Sequence, residues 1–238
     1  MRRGQRLGAE GRARAFHTAP KPTALAALLA AALSAALLSC GGKPPEIAAV
    51  EWRIELRPSA AGPYESLSAF ASIKDEDGSE DISSLWIVDD EDFLAWPLTD
   101  ADWTRRKEGA DEWLGAAGLA RQDFGPMPRG DYRFVAIDAA GERVERSFRV
   151  AGAFPDLPAP ELAFEGGTVR VRTSWPETLV LGYDGTGALA GQVAWIGSPE
   201  SLADLFGPEL GARIVEAAAY GYDPSRRMGA YSAKRKTR

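Results

Sequence analysis

The 238-residue sequence predicts a mainly β fold, a β-sandwich followed by a smaller β-rich domain with a short helix. Three observations carry that prediction. Short runs alternate apolar and polar residues with a period of two, which turns one face of a strand to a core and the other to water. Turn pairs such as Asp77-Gly78 and Asp184-Gly185 separate these runs, as hairpins require. The segment Phe154-Pro155-Asp156-Leu157-Pro158-Ala159-Pro160 carries three prolines, which fit neither a helix interior nor a central strand. It reads as a semi-rigid linker over 153–160, dividing a sandwich at 47–152 from a β-rich domain at 161–238.

Taken in order, Trp52-Arg53-Ile54-Glu55-Leu56 alternates apolar and charged residues as a first strand, and Leu67 to Ile73 reads as a second. Ile82 to Val88 is the third. Phe93 to Leu98 follows, with Pro97 marking an edge or a strand end. Arg105-Arg106-Lys107 reads as a solvated loop. Gly130 to Asp138 is a strand, Ala139-Ala140-Gly141 a turn, and Glu142 to Val150 the returning strand. Beyond the prolines, Thr168 to Arg172 alternates, and Thr178 to Tyr183 and Ala188 to Ile196 flank the hairpin turn Asp184-Gly185-Thr186-Gly187. Ser198-Pro199-Glu200 offers an N-cap, a proline at N1 and an acid for a helix that stops at Gly207. Glu209 to Tyr222 has alanines that favour helix, but its run into Tyr220-Gly221-Tyr222 favours a strand, the reading adopted here. Trp113-Leu114-Gly115 before Phe124-Gly125-Pro126 is echoed by Trp195-Ile196-Gly197 before Phe206-Gly207-Pro208. That is the pattern of a degenerate repeat or of chance.

Met127-Pro128-Arg129-Gly130-Asp131-Tyr132, followed by strand, turn and a strand ending Phe148-Arg149-Val150, resembles the closing hairpin of bacterial immunoglobulin-like or fibronectin-III-like domains. The resemblance implies an immunoglobulin-like sandwich for 47–152. It also implies that the Tyr132 hydroxyl bonds back to the backbone just upstream. The Cys…Trp…Cys pattern of antibody domains is absent, and architecture of this kind does not fix function.

The amino terminus has the parts of an export signal. Arg2, Arg3, Arg6, Arg12, Arg14 and Lys21 face one acid, Glu10, and an Ala/Leu stretch runs from Thr23 to Leu38. As a helix in the precursor it is too short to span a hydrocarbon core of about 30 Å comfortably. Leu37-Leu38-Ser39-Cys40 resembles the lipobox of bacterial lipoproteins. The resemblance implies a signal peptide at 1–39, cleavage between Ser39 and Cys40, and a covalent lipid on Cys40 with acyl chains such as palmitate. A flexible tether at 40–46 would then hold the body in the cell envelope, outside the cytoplasm. Two acyl chains anchor stably where one is marginal.

The chain carries 28 basic and 34 acidic residues. Without residues 1–39 the balance is 22 to 33, a net charge of about −11, which argues against nucleic acid as a partner. His17 is the only histidine and Cys40 the only cysteine. Beyond Cys40 there is no Ser-His-Asp or Cys-His system and no His/Cys zinc site. What remains is carboxylate, Ser-Lys and oxygen-ligand chemistry.

Four motifs are candidates for function. Asp75, Asp77 and Asp81 cluster around a turn as calcium ligands do, but they do not match an EF-hand loop, and a solvated hairpin turn with no metal or cofactor is the preferred reading. Asp89-Asp90-Glu91-Asp92 would join them if the two loops met at one end of the sandwich. Arg129-Gly130-Asp131 spells an adhesive tripeptide, but it abuts the start of a strand and reads as a turn. Trp96, Trp103 and Trp113 fall in the least regular part of the sandwich and are the candidates for a sugar platform. The expectation is a lipid-anchored, non-catalytic interaction or scaffold module that meets an envelope protein. The alternatives are a carbohydrate- or peptidoglycan-binding module and a carboxylate-dependent hydrolase.

Overall fold

The computed structural model describes residues 43–75, 78–109 and 111–237. The signal segment with Ser39 and Cys40, and Asp77 of the acidic turn, lie outside the described residues. The fold is mainly β.

Strands β1 (Glu46–Arg57), β2 (Tyr64–Lys74), β6 (Asp111–Leu119) and β5 (Thr104–Glu108) lie side by side in that order. A second sheet has the order β4 (Leu94–Leu98), β3 (Ile82–Asp89), β7 (Gly130–Asp138), β8 (Arg143–Val150). The two sheets bury a common core that includes Ile54, Leu67, Leu85, Ile87, Leu114 and Phe134. This is the A-B-E-D against C′-C-F-G arrangement of an immunoglobulin-like sandwich. Tyr132, fully buried at the start of β7, donates its hydroxyl to the Pro128 carbonyl at 3.1 Å. That is the bond the resemblance implies.

Two of these strands escape a pattern reading for identifiable reasons. β5 is Thr-Arg-Arg-Lys-Glu, read above as a loop, but charges are how a sheet protects an edge. β6 is rich in Gly and Ala, which favour strands poorly. Gly115 is nevertheless required, because a Cβ there would overlap the Ala69 carbonyl oxygen of β2.

The division at 153–160 does not separate two sheets. After β9 (Glu161–Glu165), β10 (Thr168–Arg172), β11 (Glu177–Tyr183) and β12 (Leu189–Ala194), the chain returns through β14 (Glu216–Asp223) to β15 (Met228–Tyr231). β15 pairs parallel with β1, placing Ile54 opposite Met228 and Leu56 opposite Ala230. The first sheet thus continues as β12-β11-β14-β15-β1-β2-β6-β5, with β16 (Arg235–Lys236) alongside β14. Met228 is fully buried in the sandwich core, and the described residues belong to one compact unit. The prolines mark where the backbone lacks donors, and the segment is docked. The Trp175 indole N–H donates to the Pro158 carbonyl at 2.9 Å, and the Phe154 ring meets Trp175 at 6.0 Å.

A smaller core lies under β11 and β14, where Leu162, Val169, Val180, Ala217 and Ala219 meet the helical segment. Helix α1 (Leu202–Phe206) is capped by Ser201, in a reciprocal capping box with Asp204. Ser198 is therefore not the cap, and Glu200–Ser201 pairs as β13 with β10. Helix α2 (Pro208–Arg213) precedes β14, so 209–222 is helix in its first half and strand only in its second. The echoed motifs are not equivalent in the fold: Trp113 sits in interior strand β6, whereas Trp195 follows edge strand β12. Among the described residues no helix is long and apolar enough to cross a membrane.

Candidate functional site

The structure scatters most of the residues singled out from sequence. Asp75 and Asp81 do meet, joined by Asp138 from β7, with carboxylate oxygens within 4.8 Å of one another. Their hydrogen bonds stitch two turns together. Asp138 accepts from the Glu142 amide at 2.7 Å, and the Ala139 amide donates to the Asp81 carbonyl at 2.8 Å. Among the described residues this grouping brings together one oxygen from each of three carboxylates, against the six to eight that calcium takes. Asp89 to Asp92 do not join them, because strand β3 runs from one acidic loop to the other. In the tripeptide, Arg129 pairs with Glu65 at 3.0 Å and Asp131 with Arg149 at 2.9 Å. It is a braced strand start and not a mobile tip.

Trp96, Trp103 and Trp113 do not form a sugar platform. Trp103 is buried in the core between the sheets, and Trp96 packs against that core with its N–H on the Ala120 carbonyl at 3.1 Å. Trp113 stands on the opposite face of β6, beneath the Arg106 guanidinium at 5.3 Å. Residues on opposite faces of a sheet cannot share a row.

That opposite face is the feature the sequence reading missed. Alternation along β1 puts Ile54 in the core and Glu51, Arg53, Glu55 and Arg57 on the other side. Cations and aromatic rings interleave there. Arg106 covers Phe70 at 4.5 Å and pairs with Glu51 at 2.6 Å. Arg53 lies over Tyr222 at 5.7 Å, and the Tyr220 and Tyr231 rings meet at 4.5 Å.

At the centre, Glu55 is only 2% exposed. A buried carboxylate persists only where donors replace its water, and three do. Arg57 Nη2 donates to Oε2 at 2.6 Å, Ser68 Oγ to Oε2 at 2.8 Å and the Tyr231 hydroxyl to Oε1 at 3.2 Å. Arg57 also donates from Nε to Ser66 Oγ at 2.9 Å, and its guanidinium lies over the Tyr231 ring at 4.7 Å. Burial, reinforced by the Glu55 charge, raises the Tyr231 hydroxyl well above the usual tyrosine range.

Beside this cluster a cavity of about 440 Å³ opens, lined by Arg57, Tyr64, Tyr183, Tyr231, Ser232 and Lys234 among others. The Lys234 ammonium sits 3.5 Å above the centre of the Tyr183 ring. Burial raises the Tyr183 hydroxyl too, with the Arg57 charge opposing it. Tyr183 and Tyr231 therefore stay protonated at neutral pH; the Tyr231 hydroxyl is spent on Glu55, and the Lys234 ammonium covers one face of the Tyr183 ring. The signal was present in sequence as Arg-Ile-Glu-Leu-Arg at 53–57, but its aromatic partners lie some 175 residues further along, across a parallel pairing.

No protein-family model matches the chain, and no curated protein matches it in sequence. A solved structure it is similar to is Tp47, the 47-kilodalton lipoprotein of Treponema pallidum. The TM-score is 0.41 at 14% identity, covering 82% of this chain and 51% of that one, so the chain spans about half of that protein's length.

Proposed function

We propose that this chain is a lipid-anchored protein of the bacterial envelope whose folded body is a non-catalytic binding module. The anchor is supported by the Leu37-Leu38-Ser39-Cys40 run after a basic and then apolar leader. The observation that carries the binding reading is the sheet face around Glu55 and Arg57. A rigid ion pair and three tyrosines surround an open cavity there, in a chain whose only histidine and cysteine precede residue 41. Preorganised polar groups beside apolar walls are what recognition sites share. The charge of about −11 beyond the leader argues against nucleic acid, so the partner is an envelope protein or glycan. The carbohydrate alternative moves from the tryptophans to the tyrosines, since Tyr64, Tyr183 and Tyr231 line one cavity.

Metabolic labelling with an alkyne fatty acid tests the anchor. The full-length protein takes up label, and Cys40→Ala abolishes labelling and leaves the precursor uncleaved. Label retained by that variant overturns the anchor. Crosslinking in the native envelope tests the module. Recovery of one stoichiometric partner, lost on substituting Tyr231 by Ala, supports it, and unchanged recovery by that variant removes the sheet face from the interaction.

A further inference from the structure

We propose that the cavity between Arg57 and Lys234 binds an acidic saccharide, with the sugar carboxylate held by the two cations. This rests on the binding-module reading and names its ligand class.

The electrostatic case is local. The chain is acidic overall, yet the charged groups lining this cavity are Arg57 and Lys234. The one acid beside them, Glu55, spends its two oxygens on Arg57, Ser68 and Tyr231. Arg57 has Nε and Nη2 committed to Ser66 and Glu55, which leaves Nη1 as the donor for a ligand. Lys234 is exposed and its ammonium rests on the Tyr183 ring, with no carboxylate salt bridge among the described residues. A carboxylate bridging Nη1 and the ammonium gains two charge-assisted hydrogen bonds.

The rest of the ligand follows from the walls. Tyr64, Tyr183 and Tyr231 put aromatic carbon on the walls, with the Tyr231 hydroxyl held by Glu55 and one face of Tyr183 under Lys234, and aromatic carbon suits the apolar face of a pyranose ring. An extended peptide is disfavoured because β1, β2, β11, β14 and β15 all have neighbours on both sides. None offers the free edge that strand addition needs. The volume of about 440 Å³ lies within the range of small-ligand sites, about 300–1,000 Å³.

The test is calorimetric titration of the full-length protein in a non-ionic detergent with trigalacturonate, with its trimethyl ester and with inorganic phosphate. The expected result is saturable binding of trigalacturonate that weakens with added salt. The ester should bind about tenfold more weakly, since it loses hydrogen bonds to charged groups. Lys234→Ala should weaken trigalacturonate binding about tenfold with an unchanged melting temperature, and Lys234→Arg should retain it. Equal affinity for the ester removes the carboxylate, and phosphate binding as tight as the saccharide removes the sugar. Full affinity in Lys234→Ala removes the site. Each of these overturns the saccharide proposal and leaves the anchor and the native-envelope crosslink to be judged on their own readouts.

Discussion

Arg57 donates to Glu55 at 2.6 Å from two residues further along the same strand. The period of two places both on one face, with the glutamate side chain 3% exposed and the arginine 27%. Breaking such a pair from one side leaves a buried charge without its counter-ion. Arg57→Ala should therefore destabilise the fold by about 3–5 kcal/mol. Glu55→Gln keeps an oxygen for Ser68 and Tyr231 and should cost less, about 1–3 kcal/mol. Urea unfolding of the two variants checks the order, and a neutral Arg57→Ala would show the pair to be idle.

Tyr132 is a sharper case because its ring and its hydroxyl do separate work. The ring is fully buried and stacks on Phe148 at 5.5 Å, while the hydroxyl donates to the Pro128 carbonyl. Tyr132→Phe should cost about 1 kcal/mol, and Tyr132→Ala about 3–5 kcal/mol through the cavity it opens. Both are read as shifts in the denaturant midpoint at constant slope.

These two sites also show what the sequence could reveal. Tyr132 was legible because the strand, turn and strand around it are contiguous, so local alternation fixes β7 and β8. The Glu55 cluster was not, although Arg53, Glu55 and Arg57 were visibly on one face of β1. Its closing partner, Tyr231, arrives on β15 in a parallel pairing, and no local pattern encodes a register across that separation. The tryptophans failed for a related reason. Trp103 and Trp113 are ten residues apart, but an intervening strand and turn put one inside the sandwich and the other on its outer face.

Gly115 tests why β6 was hard to read. Its missing side chain lets β6 lie against the Ala69 backbone of β2, and backbone cannot rotate away as a side chain can. Gly115→Ala should destabilise by about 1–3 kcal/mol or more through overpacking, even though alanine suits a strand better than glycine by propensity. A thermal shift measurement decides between the two effects, and a stabilised variant would contradict the close approach.

The shared sheet makes a prediction about cooperativity. Deleting residues 228–238 removes β15, takes Met228 out of the sandwich core and strips β1 of one hydrogen-bonded neighbour. The truncation should unfold or aggregate as a whole, and the full chain should melt in one transition by circular dichroism and by tryptophan fluorescence. A truncated protein that kept a native-like sandwich transition would restore the two-domain division at the proline segment.

The buried tyrosines set the response to alkali. Burial raises the hydroxyls of Tyr132, Tyr220 and Tyr231 above their ordinary value of 10.0 in the folded protein. Below that value both folded and unfolded chains hold these protons, so stability does not depend on them. Above it the unfolded chain releases protons first and binds fewer, so stability falls as pH rises. Each such tyrosine contributes a slope of about 1.4 kcal/mol per pH unit until its folded-state value is reached. Tyr132→Phe should flatten the decline by one tyrosine's share while leaving the plateau at neutral pH lower by the hydroxyl bond alone. Urea midpoints measured from neutral pH into this range supply both numbers, and a decline of the same steepness in that variant would mean that Tyr132 ionises in the folded state as readily as in the unfolded one.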